Sequence, residues 1–268
     1  MLKVFLSGIC ALALCSVIVG AEPVAHWKMD DGTGAVVKSS VAGVPDGKIL
    51  NIANTAWVDG RKGGKALYFK GDPGKKKQGG AVRLETKKFF NHAKPFSITC
   101  WIMPESIAKM KREATYELIS NTLGDLGPGL RLVYQWNQPV AATGDGKRGN
   151  RRDISAKAST YPVARSAWSH LAVTFDGKVV KLYVNGACAG SKETQIFKGR
   201  DWFFVGSYNG GYAYSFCGAI SDVKFYDQEL TAAQVMAEAK ESERHKCHVI
   251  QSLLCCKCQG ITFGNRHK

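Results

Sequence analysis

Apolar and polar residues alternate along 178–184, where Val180, Leu182 and Val184 interleave with Val179, Lys181 and Tyr183. A period of two sends alternate side chains to opposite faces, so this stretch predicts a strand with one buried and one mixed face. It lies between Asp176-Gly177 and Asn185-Gly186, dipeptides that tolerate the positive φ required by a two-residue hairpin turn. With 170–175 before it, the region reads as a β meander. Similar runs predict strands at 66–69, 81–84, 96–103, 118–120, 129–135, 202–206 and 219–226, the third closed by Pro104, which cannot donate to a ladder. Residues 70–80, 124–129 and 137–152 read as loops. One helix is signalled: Thr231 and Gln234 form a T-x-x-Q capping box ahead of Val235, Met236 and Ala239. It is expected to pack across one end of the sheets. Short strands, turn residues between them and no alternating helices predict an all-β fold, a two-sheet antiparallel sandwich or jelly roll with one short C-terminal helix.

The pattern also divides the chain. Lys3, the apolar run 4–19 and the small residues Gly20 and Ala21 read as a secretory signal peptide, 1–21, cleaved after Ala21. Leu14 is too bulky for a lipoprotein cleavage box before Cys15. Residues 22–242 form one domain, and 243–268 a Cys/His-rich basic tail without periodic pattern. No later run has the apolar length to span a bilayer. The expected location is therefore secreted, periplasmic or extracellular.

The formal charge of +15 is carried mainly by loops, at Lys75 to Lys77, Lys109 to Arg112 and Lys147 to Arg152. A field of that sign attracts polyanions, and for an exported protein sulfated or uronic polysaccharide, anionic cell envelope and extracellular DNA are all more accessible than cytoplasmic nucleic acid. The same loops could serve solubility alone. Nine cysteines are present, two of them in the leader, so the remaining number is odd and one thiol stays unpaired in a monomer. Cys100 reads as a small core residue. The tail cluster Cys255-Cys256-x-Cys258 lacks the paired C-x-x-C spacing of a structural zinc site.

An ordered set of motifs adds a resemblance. Trp27-Lys28-Met29-Asp30-Asp31-Gly32-Thr33-Gly34 is similar to an opening W-x-F-D-E-G-x-G, and Gly60 to Phe69 to a G-x-x-G-x-A-L-x-F strand entry. Phe96-Ser97-Ile98-Thr99-Cys100-Trp101, then Trp168-Ser169-His170-Leu171-Ala172-Val173-Thr174-Phe175-Asp176-Gly177, then Leu182-Tyr183-Val184-Asn185-Gly186 follow in order. Gly218-Ala219-Ile220-Ser221-Asp222-Val223-Lys224-Phe225-Tyr226 closes the set. Together they resemble the laminin G-like, concanavalin A-like jelly-roll domains of exported bacterial proteins, from about Val24 to Glu241. The resemblance implies a lectin-like or carbohydrate-binding domain with a structural calcium, its ligands at Asp30 and Asp222 with Asp31 beside them. Calcium wants several oxygen donors, and carboxylates from both chain ends would staple the first strand to the last. Ser221 and Lys70 depart from the family pattern, which often has Asp at each.

Jelly-roll glycanases carry E-x-D-x-x-E on one strand, because a proton donor and a nucleophile must flank one glycosidic bond. That motif is absent, as are H-E-x-x-H and G-x-S-x-G. The nearest close acidic pair, Glu113 and Glu117, reads as loop or short helix, and His92 and His170 have no evident partner. Binding has better candidates. Tyr212 and Tyr214 lie in a glycine loop, and Tyr134, Trp136 and Trp202 lie at strand ends, where rings can stack on sugar faces. Arg131, on the strand of Tyr134, suits an acidic sugar. Trp27, Trp101 and Trp168 read as core. The expectation is an exported, non-catalytic module that binds carbohydrate, with an anionic glycan favoured. The alternatives are a scaffold that binds envelope proteins, its thiol-rich tail crosslinking partners, and a divergent glycoside hydrolase or polysaccharide lyase.

Overall fold

A computed structural model describes residues 20–71, 77–106 and 114–240. The leader up to residue 19, Lys75 and Lys76, the basic run 109–112, Glu113 and the tail from 241, with its four cysteines, lie outside the described residues. The strands are β1 (Ala25–Trp27), β2 (Val36–Val37), β3 (Gly47–Leu50), β4 (Thr55–Asp59), β5 (Lys65–Lys70), β6 (Ala81–Glu85), β7 (Phe96–Pro104) and β8 (Thr115–Ser120). They continue with β9 (Gly129–Gln135), β10 (Gln138–Gly144), β11 (Arg152–Ser155), β12 (Ser169–Phe175), β13 (Val179–Val184), β14 (Ala187–Glu193), β15 (Trp202–Val205) and β16 (Cys217–Tyr226), and α1 (Ala232–Ala239) follows.

Two antiparallel sheets result. The first runs β14-β13-β12-β7-β16-β5-β4, with β1 also paired to β16; the second runs β11-β10-β9-β8-β15-β6-β3-β2. The alternation read at 178–184 is realised, since Val180, Leu182 and Val184 face the core between the sheets. Edge-on aromatic contacts fill that core, Phe90 against Phe203 at 4.9 Å and Trp27 against Phe225 at 5.9 Å. Both hairpin dipeptides are used. Asp176 accepts the backbone N–H of Lys178 and Val179 at 2.7 and 2.6 Å, and Asn185 and Gly186 take φ of 50° and 84°.

Three expectations are corrected. Residues 137–152, read as one loop, contain β10 and the start of β11, because Trp136 and Asn137 make a two-residue turn with φ of 54° and 61°. Helix α1 has the expected capping box but covers the outer face of the first sheet, where Val235 packs with Ala172, Tyr183 and Tyr226. That face holds large rings that would otherwise be wet, which explains the position. Trp101 is buried on the same outer face, under the Arg61 guanidinium at 3.3 Å, and Trp168 is half-buried; only Trp27 joins the central core. Cys100 is a core residue as expected, and among the described residues Cys100, Cys188 and Cys217 form no disulfide.

Candidate functional site

Strands β8 to β11 build a cleft on the outer face of the second sheet. Along β9, Leu130, Leu132 and Tyr134 point into the core, so Arg131, Val133 and Gln135 point outward. Cross-strand pairing sets Arg131 between Ser120 and Ala142, with Asp153 beyond Ala142, and sets Gln135 beside Thr115. Thr115, Asp125, Arg131, Gln135, Arg151, Asp153 and Tyr214 line a cleft of about 310 Å³.

Arg131 holds the cleft together. Its Nε and Nη2 donate to the two oxygens of buried Glu117 at 3.1 and 2.6 Å, and its Nη1 donates to the Asp125 carboxylate and carbonyl, both at 3.3 Å. Burial opposes the Arg131 charge, but Glu117 and Asp125 outweigh it and raise its pKa. The Tyr214 hydroxyl donates to the other Asp125 oxygen at 2.9 Å, and burial followed by that hydrogen bond raises the phenol pKa. Arg151 donates to Asp153 at 2.6 Å and to the Asp125 carbonyl at 3.3 Å. Rings of Tyr208 and Tyr214 stand 5.5 and 5.3 Å from the Arg131 guanidinium. The loop carrying Asp125 is anchored at its base, where Asn121 accepts Leu130 N–H at 2.9 Å and lies 2.7 Å from His92 Nε2. The same nitrogen accepts Gly199 N–H at 3.1 Å, which places the His92 proton on Nδ1.

Of the ring and arginine positions expected to meet ligand, Arg131 and Tyr214 come together in the cleft. Trp136 follows Gln135 at the hairpin tip, 50% exposed. Tyr212 is 40% exposed but does not line the cleft. Tyr134 is a correction: 1% exposed, it packs in the core, because three positions along a strand turn it away from Arg131. Trp202 is half-buried beneath the Arg83 guanidinium, 4.2 Å from its ring. Glu117, read as loop or helix, is in strand β8. Asp125, Gln135, Arg151 and Asp153 were missed; alternation from Arg131 points to Gln135, whereas the others arrive from loops and a neighbouring edge strand.

The residues expected to hold calcium lie beside the first sheet. Strand β16 pairs β5 through Ile220 and β1 from Val223, and between them Asp222 bulges out with φ of 51°. Its carboxylate accepts Arg61 Nη1 at 2.9 Å and lies 3.2 Å from His26 Nε2. Burial opposes its ionisation, yet the His26 hydrogen bond and the charges of His26, Arg61 and Lys224 hold the carboxyl below the usual range. Asp31 accepts Lys38 N–H at 3.2 Å, and exposed Asp30 shares the pocket with Lys28, Lys62 and Lys65. Both oxygens of Asp222 are already engaged, one by Arg61 and one by His26, and no three of His, Cys, Asp and Glu converge among the described residues.

A sequence model of the concanavalin A-like lectin/glucanases superfamily matches residues 76–236. Pappalysin-1 of Mus musculus is 29% identical over 147 residues, which cover 49% of this chain and 8% of that protein. The chain thus spans under a tenth of that relative. Among solved structures, domain 4 of AbnA, a GH43 extracellular arabinanase from Geobacillus stearothermophilus in complex with arabinotriose, matches with a TM-score of 0.55 and 21% identity, covering 82% of this chain and 100% of that one. The botulinum neurotoxin serotype G binding domain matches at 0.61 and 15% identity, over 81% of this chain and 50% of that one. A Trypanosoma rangeli sialidase matches at 0.59 and 14% identity, over 82% and 33%. At these identities the structural matches speak to the fold. No described helix is long and apolar enough to cross a membrane.

Proposed function

The chain belongs to the concanavalin A-like lectin/glucanases superfamily, and from that premise we propose that it is a non-catalytic carbohydrate-recognition domain acting outside the cytoplasm, with its sugar site in the cleft of the second sheet. The observation that carries the reading is the fixed array of Gln135 amide, Asp125 and Asp153 carboxylates, Arg151 guanidinium and Tyr214 phenol around a cleft of about 310 Å³. Sugars present vicinal hydroxyls that both donate and accept. Planar amide, carboxylate and guanidinium groups meet such pairs two at a time, and an aromatic ring covers the apolar face of the sugar. Trp136 supports the same reading: a bulky residue at φ 54° is a strained choice for a turn, and its exposed ring adjoins Gln135.

Charge narrows the ligand. Arg131 is matched by Glu117 and Asp125, and Arg151 by Asp153, so the cleft suits neutral hydroxyls better than an acidic group. The arrangement also argues against hydrolysis. A general acid must present a proton to the glycosidic oxygen, and the carboxylates here instead accept from Arg131, Arg151 and Tyr214. A glycan array probed with the full chain tests the reading. We expect selective binding that survives physiological salt and a chelator, and that falls about tenfold in Gln135→Ala or Arg151→Ala. Silence across the array, or release of reducing ends from a bound glycan, contradicts it.

A further inference from the structure

The groups gathered where a calcium ion is expected point to a ligand of the opposite charge. We propose that the pocket beside the β16 bulge binds an oxyanion with three acceptor oxygens, a sulfate ester or a phosphate. The pocket holds about 330 Å³, in the range of small-ligand sites. It lies on the first sheet, so the inference stands independently of the sugar cleft.

Three observations carry it. The Asp222 charge is satisfied from within by Arg61 and His26, at 2.9 and 3.2 Å. Lys65 and Lys224 of the lining pair with Asp59 and Glu238 at 2.8 and 3.4 Å, and with those partners counted Lys and Arg still exceed Asp and Glu by one, the excess lying at the rim. Lys28 and Lys62 at the rim are exposed and make no ion pair among the described residues, and Asp30 is the rim carboxylate that opposes them. The pocket also contains a donor: Ser221 is 3% exposed, and its buried Oγ has no hydrogen-bond partner among the described residues. A buried hydroxyl left unmatched is unfavourable, and a ligand oxygen would satisfy it. Finally, Lys62 sits at φ 56° in the Arg61–Gly63 turn, a conformation that glycine adopts at lower cost. The turn carries the Lys62 ammonium to the rim of the pocket. Two ammonium groups from the rim and one hydroxyl from the wall suit a tetrahedral group better than a planar carboxylate with two oxygens.

The test is titration of the full chain with sodium sulfate, sodium phosphate and glucose 6-sulfate, with sodium chloride at matched ionic strength as control, read by calorimetry and melting temperature. The expected result is a rise in melting temperature beyond that given by chloride. Binding should weaken about tenfold in the Lys28→Gln, Lys62→Gln double variant. Ser221→Ala should weaken binding while leaving the anion-free melting temperature equal or higher, which separates ligand loss from misfolding. Neutral-sugar binding should be unchanged in all of these variants. Preference for glucose 6-sulfate assigns the site to a glycan ester, and preference for inorganic phosphate assigns it to the free ion; both support an oxyanion site. Shifts no larger than those from chloride, or lysine variants that bind like wild type, overturn the proposal.

Discussion

Removing Arg131 leaves the fully buried Glu117 carboxylate without its counter-charge. Arg131→Met should therefore cost about 3–5 kcal/mol, while replacing both partners, Glu117→Leu with Arg131→Met, should recover much of it. Urea denaturation of the three variants checks this, and a double variant as unstable as the single one contradicts it. His92 gives a second test. Burial pushes its pKa down from 6.5 to about 4, so the unfolded chain binds the proton more tightly than the fold does. Its contribution, about 3 kcal/mol, is whole above pH 6.5 and is lost as pH falls toward 4. Denaturation midpoints from pH 7.5 to 4 should fall more steeply in wild type than in His92→Gln; parallel profiles contradict the assignment. Parity was the residue-scale signal available in the sequence. It separates Arg131 from Tyr134 and joins Arg131 to Gln135, but it says nothing of Glu117, whose role depends on a partner strand.

If Trp136 meets ligand as proposed, the hairpin joining β9 to β10 sets binding against stability within one element. A non-glycine residue in the left-handed region costs about 1–2 kcal/mol, less for asparagine, whose short side chain bonds locally. Trp136→Asn should therefore hold or raise the urea midpoint while weakening glycan binding. A lower midpoint with unchanged affinity would make Trp136 a packing residue. Elements with local signals were legible: the 178–184 alternation, both hairpin dipeptides and the Thr231 capping box were all realised. Strand β10 was not, because Pro139 and the Ala141-Ala142 pair give no alternating pattern and Trp136-Asn137 is not a usual turn dipeptide. The helix position was also hidden, since it depends on Ala172, Tyr183 and Tyr226 from three other strands.

Over the whole molecule the basic excess is unevenly placed. The formal charge is +15, yet the cleft on the second sheet is balanced while the pocket beside Asp222 is positive. The ordered motifs made the family and the sandwich legible, because hairpins and core rings are written in contiguous sequence. The cleft was legible only in part, since Asp125, Arg151 and Tyr214 converge from separate loops. The most direct test of the account is chemical-shift mapping of the full chain with a neutral oligosaccharide drawn from the array. The account predicts shifts centred on Arg131, Gln135, Asp153, Tyr214 and Trp136; shifts centred on the first sheet, or none at saturating sugar, would contradict it.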